Sequence, residues 1–258
     1  MKNIQRMLRG LSGLLVLAVA PSLASAQGLI PFPDATAQTV NPGVAPPNSN
    51  PLGTSYGRWG SEWVKWVMGL PATGHPLFQA GQVKCSDNQI GHVWFLVGIW
   101  GANTVQRSCD VPSGTWLFFP LINVWADNVG YQKTPPTNYS AAELKQMAGD
   151  FILAGELHAT IDGKPVQGLF AYRAADAGFS YNLPPTDNMQ QIQGNDAPGA
   201  AWPPDKPMVG PVACDGYWLM LEPLSPGAHT ISFGGSAKNG YLQVDVSYSI
   251  NVIPKGRL

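Results

Sequence analysis

The sequence predicts a mainly β protein: a single antiparallel β-sandwich, of jelly-roll or immunoglobulin-like topology, carrying two short helices. Three observations lead there. Charged residues are only 12% of the 258 residues, against 29 glycines and 24 prolines. The polar surface must then come from Ser, Thr, Asn and turn residues, not from the Glu, Lys and Arg that usually coat helices. Apolar runs of strand length recur between turn signals, without the helical crossovers that a parallel sheet needs. Finally, in Tyr241–Val252 the residues Leu242, Val244, Val246, Tyr248, Ile250 and Val252 alternate with Gln243, Asp245, Ser247, Ser249 and Asn251. That two-residue period marks a strand with one wet face.

Taken in order, residues 1–26 read as a cleavable secretory signal. Lys2, Arg6 and Arg9 precede the apolar stretch Leu11–Ala20, and Ala24-Ser25-Ala26 supplies the small-residue cleavage site. The apolar stretch is about half the ~20 residues that span a bilayer, so no membrane span is expected and the mature chain should be secreted or periplasmic. Removing the leader takes away three cations and no acid, moving the formal charge from −1 to −4. The remaining charges are scattered, which argues against nucleic acid as a partner. Residues 27–56 are expected to be a Pro-rich N-terminal arm, with six prolines between 27 and 53. Residues 57–258 are expected to be the sandwich domain.

Within that domain, Trp59, Trp63, Trp66 and Leu70 recur at helical spacing until Pro71, and the stripe is expected to pack onto the sandwich. Ser140 with Glu143 is a capping box opening a second helix through Leu144, Met147 and Phe151, with Gly155 expected to close it. His92–Trp100 and Thr115–Val124 read as buried strands. Leu157–Ile161 and Val166–Tyr172 flank Asp162-Gly163, a tight-turn signal. Strands follow at Phe179–Leu183, Tyr217–Leu221 and His229–Phe233. Pro184 to Cys214 shows no convincing element, and connections of that length are usually functional or disordered.

Three cysteines are present. Folding His92–Trp100 back on Thr104–Ser108 through Gly101–Asn103 would bring Cys109 to Cys85, so a Cys85–Cys109 disulfide is expected in an oxidising compartment. Cys214 is then left as a buried apolar side chain, or alternatively a catalytic thiol.

Tyr56-Gly57-Arg58-Trp59 through Trp66, Gly91–Gly98, Leu117–Asn123, Asp215–Leu221 and Leu224–Ile231 together resemble a family of uncharacterised secreted bacterial proteins. The resemblance covers nearly the whole mature chain. It implies one exported domain and carries over no activity and no site residue.

Candidate chemistry is sparse. Gly53-Thr54-Ser55-Tyr56-Gly57 matches the G-x-S-x-G elbow, and Ser55, Asp127 and His229 stand in hydrolase order, but a proline-rich arm precedes the serine where a buried strand is needed. His75, His92, His158 and His229 form no paired metal motif, and neither a metal nor a cofactor is expected. Asp127, Asp187, Asp196, Asp205 and Glu222 lie on or beside loops, where two acids can flank a sugar. Trp125 and Trp202 sit beside Asp127, Asn128 and Asp205, where an indole stacks on a sugar ring and acids or amides take its hydroxyls. Trp125, Asp127, Asn128, Trp202 and Asp205 are therefore the expected binding residues. The expected function is a secreted binding protein recognising a glycan or cell-envelope polymer through end loops. A small extracellular hydrolase or lyase using the same loops is the alternative.

Overall fold

The computed structural model describes residues 41, 43–89, 91–100, 104–129, 138–189, 208–238 and 240–256. The leader, the first part of the arm, Asp196, Trp202 and Asp205 lie outside the described residues.

The described chain is mainly β, with strands β1 (Gly81–Gln82), β2 (Val93–Phe95), β3 (Thr104–Pro112), β4 (Trp116–Ala126), β5 (Ala154–Ile161), β6 (Lys164–Pro165), β7 (Arg173–Asn182), β8 (Met208–Leu221), β9 (Gly227–Ala237) and β10 (Gln243–Ile253). Helices α1 (Tyr56–Met68) and α2 (Ala141–Phe151) complete it. The strands form two sheets, ordered β1-β3-β10-β9-β5-β6 and β2-β4-β8-β7.

Both sheets are mixed, which corrects the purely antiparallel expectation. β1 and β10 each run parallel to β3, and β2 runs parallel to β4. The physical reason lies at residues 93–112. The expected hairpin does not form, because β2 joins the four-stranded sheet while β3 joins the six-stranded one. The Cys85–Cys109 disulfide nevertheless forms. Cys85 reaches Cys109 through the parallel β1–β3 pair, which Val83 extends by donating its N–H to the Ser108 carbonyl (2.9 Å).

The inner residues of the two sheets share one apolar core. Phe119 of β4 meets Phe233 of β9 with ring centroids 4.6 Å apart, and Phe233 stacks on Tyr248 of β10. Phe118 and Trp218, on the opposite face of the four-stranded sheet, stack at 5.3 Å and carry Trp63 of α1. Ser55 is the N-cap of α1, accepting the Arg58 N–H, so the elbow-like motif is a helix start. The Ser140–Glu143 capping box opens α2, but the helix stops at Ile152 and Gly155 lies in β5.

Two further elements differ from expectation. After the Asp162-Gly163 turn, where φ is 49° and 74°, β6 lasts only two residues, and Leu169–Tyr172 is a 3-10 turn entered through Gly168 at φ 66°. β8 begins at Met208, upstream of Pro211, a residue that normally argues against strand. Part of the Pro-rich arm is inlaid in the fold. Val44 bridges to Leu221, Ala45 takes the Met220 carbonyl (2.9 Å), and both are buried.

Candidate functional site

A 3.6-residue period puts Trp59 and Trp66, seven positions apart, at nearly the same angle on α1, with Trp63 turned further inward. Trp63 is 1% exposed and donates its ring N–H to the Leu96 carbonyl (2.8 Å). Trp59 and Trp66 stay half-buried. Their ring N–H groups donate to the Pro51 and Asp87 carbonyls (3.1 and 3.4 Å). Phe95 of β2 stands between them, 6.5 Å from Trp59 and 5.5 Å from Trp66 by ring centroids. The three rings wall a groove of about 740 Å³, with Thr54, Glu62, Lys65, Asn88 and His92 among its polar lining. That volume falls in the usual range for ligand sites, ~300–1,000 Å³. Glu62 is paired with Arg58 (3.0 Å) and Lys65 (2.9 Å), so its carboxylate is held in place.

A second cleft of about 570 Å³ adjoins the groove and shares Trp66, Asn88 and Phe95 with it. Several of its lining residues are held by Arg107 of β3, 2% exposed. The guanidinium donates to the carbonyls of Pro76 (2.7 Å), Gln79 (2.9 Å), Val97 (2.9 Å) and Gly98 (2.7 Å) and to the Tyr248 hydroxyl (3.2 Å). Irregular backbone that would otherwise bury unpaired carbonyls is thus pinned by one side chain.

A third hollow, about 590 Å³, lies on the outer face of the six-stranded sheet and shares Gln82 with the cleft. Its lining includes Ser108, Asp110, Thr230, Ser249 and Asn251, without a Lys or Arg. Asn251 donates to Asp110 (2.8 Å) and Ser108 to Gln82 (2.7 Å), so these groups are held in place across strands.

At one end of this hollow His229 lies 2.7 Å from Asp162 through Nδ1, while Nε2 faces Ser225 Oγ at 3.2 Å. The layout resembles a Ser-His-Asp triad. However, Nε2 is closer to the Ser225 carbonyl (2.8 Å), which can only accept. The Nε2 proton is therefore spent on that carbonyl, and no lone pair is left to deprotonate Ser225. Burial lowers the His229 pKa, but the Asp162 hydrogen bond and the Ser225 carbonyl outweigh it, and the net shift is upward. The ring is a clamp between two acceptors, not a base.

Three of the five expected binding residues, Trp125, Asp127 and Asn128, are among the described residues. Trp125 is half-buried beside Trp100 (6.1 Å), which is 46% exposed and in turn neighbours Phe78 (6.3 Å). Asp127 is buried, accepting from the Val129 N–H (2.9 Å) and the Tyr181 hydroxyl (2.8 Å). Asn128 exchanges two hydrogen bonds with the Tyr139 backbone. Asn128 thus ties the end of β4 to Tyr139, just ahead of α2. Trp202 and Asp205 lie outside the described residues.

Other candidates are also placed. Asp187 binds Thr73 through its backbone N–H and its hydroxyl (2.9 and 3.0 Å). His75 is 1% exposed: Nε2–H faces the Val67 carbonyl (3.0 Å), and Nδ1 accepts the Leu77 N–H (3.2 Å). Burial lowers its pKa against the pull of the Val67 carbonyl. Cys214 is fully buried in β8, and burial pushes its thiol up to about 12, leaving almost no thiolate for nucleophilic work near neutrality. Among the described residues no three His, Cys, Asp or Glu side chains group as a metal site, and no helix is long and apolar enough to cross a membrane.

Sequence reasoning missed the groove because the Trp59-Trp63-Trp66 stripe reads as one core face. Glu62 and Lys65 beside two of its three indoles were the available signal that the stripe is too wide to be wholly buried. No protein-family model, curated protein or solved structure matches this chain.

Proposed function

We propose that this chain is a secreted β-sandwich protein that binds a glycan, with the groove between α1 and the Asn88–Phe95 segment as its primary site. The observation that carries the reading is the wall formed by Trp59, Phe95 and Trp66. The indole N–H groups are already bonded to backbone, so what the rings offer a ligand is their apolar faces. Sugar rings present an apolar C–H face to such surfaces, and Glu62, Lys65, Asn88 and His92 supply hydrogen-bonding groups at the rim. A membrane or nucleic-acid partner would call for a basic surface, which the composition does not provide.

The test is a glycan array with wild type, Trp59→Ala and Trp66→Ala, all checked for native circular dichroism. Binding by wild type that falls roughly tenfold or more in folded variants, about 1.4 kcal/mol, supports the site. Absence of glycan binding by wild type overturns the reading. Turnover of a bound polysaccharide would move the case to the hydrolase or lyase alternative.

A further inference from the structure

The groove, the cleft and the sheet-face hollow are neighbours, and each shares lining residues with the next. Trp66, Asn88 and Phe95 belong to the first two, and Gln82 to the last two. The series runs around the edge strand β1, where the Cys85–Cys109 bridge fastens the ridge between cleft and hollow, Cys85 lining the one and Cys109 the other. We infer that the protein binds the interior of a neutral, linear polysaccharide, which occupies all three hollows in succession and not the groove alone. This inference rests on the glycan reading above and names the form of the ligand.

Two features select a chain over a small ligand. Each hollow alone has the volume of a complete ligand site, so three in continuous sequence suit a repeating molecule. Their chemistry also changes along the track. The groove offers ring faces, whereas the sheet-face hollow offers hydroxyls, amides and carboxylates set by cross-strand bonds such as Asn251–Asp110. A polysaccharide presents both an apolar ring face and an equatorial rim of hydroxyls in every unit, so it satisfies both ends. Neutrality follows from the third hollow. Asp110 and Asp162 line it without Lys or Arg, and its one histidine, His229, is already paired with Asp162. An acidic polymer would lose affinity there by repulsion.

The experiment measures affinity along a ladder of neutral linear oligosaccharides, from disaccharide to octasaccharide, using the array's best backbone, beside an equal ladder of polyuronate. The expected result is affinity that rises with length, roughly tenfold or more between the shortest binder and the octasaccharide, as added units gain contacts without a second encounter. Ser249 is an exposed position on β10 inside the hollow, and Ser249→Trp fills it without touching the core. That variant should bring octasaccharide affinity down to the short-ligand level. Trp59→Ala should weaken every length. Affinity independent of length, a silent Ser249→Trp, or polyuronate bound as well as the neutral ladder would overturn the inference while leaving the groove intact as a glycan site. Failure of every length to bind would instead sink the glycan reading itself.

Discussion

The aromatic groove beside α1 and the polar outer face of the six-stranded sheet are built in opposite ways. On the sheet face, outward residues of β3 and β10 follow the two-residue period. Neighbouring strands bond through side chains, as in Thr104–Asp245 (2.9 Å) and Ser232–Ser247 (2.9 Å). The backbone ladder beneath is complete, so those side chains can change without costing the fold. In the groove, the reverse holds. One wall is α1, but the facing side and the adjoining cleft are built largely from backbone outside regular strands between residues 76 and 98, kept in shape by buried side chains, Arg107 and Trp63 above all. Where regular structure supports a surface, recognition and stability are separable; where side chains hold up loops, they are not.

The sharpest way to break that comparison is Arg107→Ala. It removes the donor serving the Gln79 and Gly98 carbonyls and the shorter of two bonds to the Pro76 carbonyl and to the Tyr248 hydroxyl. Unsatisfied buried groups cost ~1–3 kcal/mol each, so a loss of about 5 kcal/mol in denaturant melts is expected. On the sheet face, Asn251→Ala should stay within about 0.5 kcal/mol, as exposed positions usually do. Equal losses would mean that both surfaces are supported alike.

Next in size are the indoles. Trp63→Ala should cost ~3–5 kcal/mol, the usual price of truncating a core aromatic. Trp59→Ala and Trp66→Ala, half-buried, should cost about half as much or less. If either matched Trp63→Ala, its ring would be packing first and a binding wall second. Breaking the Cys85–Cys109 bridge, whose residues are 24 apart, should cost ~3 kcal/mol by the chain-entropy model. Its loss should loosen the cleft edge more than the sheet, so amide exchange should accelerate at 81–89 before β9 or β10.

The same contrast explains what was legible beforehand. The wet face of β10 could be read from alternation alone, because a strand shows its two faces in sequence. The Ser140–Glu143 cap was legible for the same reason, being local. The cysteine pairing was reached from a hairpin that does not exist. The true cause, parallel β1 on β3, leaves no local mark, since a two-residue edge strand has no period. The groove was hidden because Thr54, Trp59–Trp66 and Asn88–Phe95 meet only in space. Periodicity tells which way Trp59 points but not how deep it goes. Asp127 and Asn128 read as ligand groups because loop acids and amides usually face water; the sequence does not show that Asp127 is buried against Val129 and Tyr181 or that Asn128 bonds the Tyr139 backbone.

The smallest expected effect is in pH, and it sets one histidine of each region against the other. His75 supports the loop that borders the cleft as a neutral imidazole, with a pKa lowered by burial. Its stabilisation is therefore complete above the unfolded value of about 6.5 and is lost as pH falls through the lower folded value. His229, at the end of the sheet-face hollow, has its pKa raised because Asp162 and the Ser225 carbonyl outweigh burial. Its contribution is complete below about 6.5 and is lost as pH rises through the higher folded value. Asp162, with its pKa lowered, acts in a separate acidic window, adding stability above about 3.9. Between pH 5 and 9 stability should thus fall away on both sides of neutrality. His229→Gln should flatten the alkaline side alone, by much less than the disulfide contributes. NMR titration of the imidazole C–H resonances checks the assignment directly: His229 should titrate above pH 6.5 and His75 below it. Should the two titrate in the opposite order, Nε2 of His229 would be free to accept from Ser225, and the Ser225-His229-Asp162 layout would have to be reconsidered as a working base.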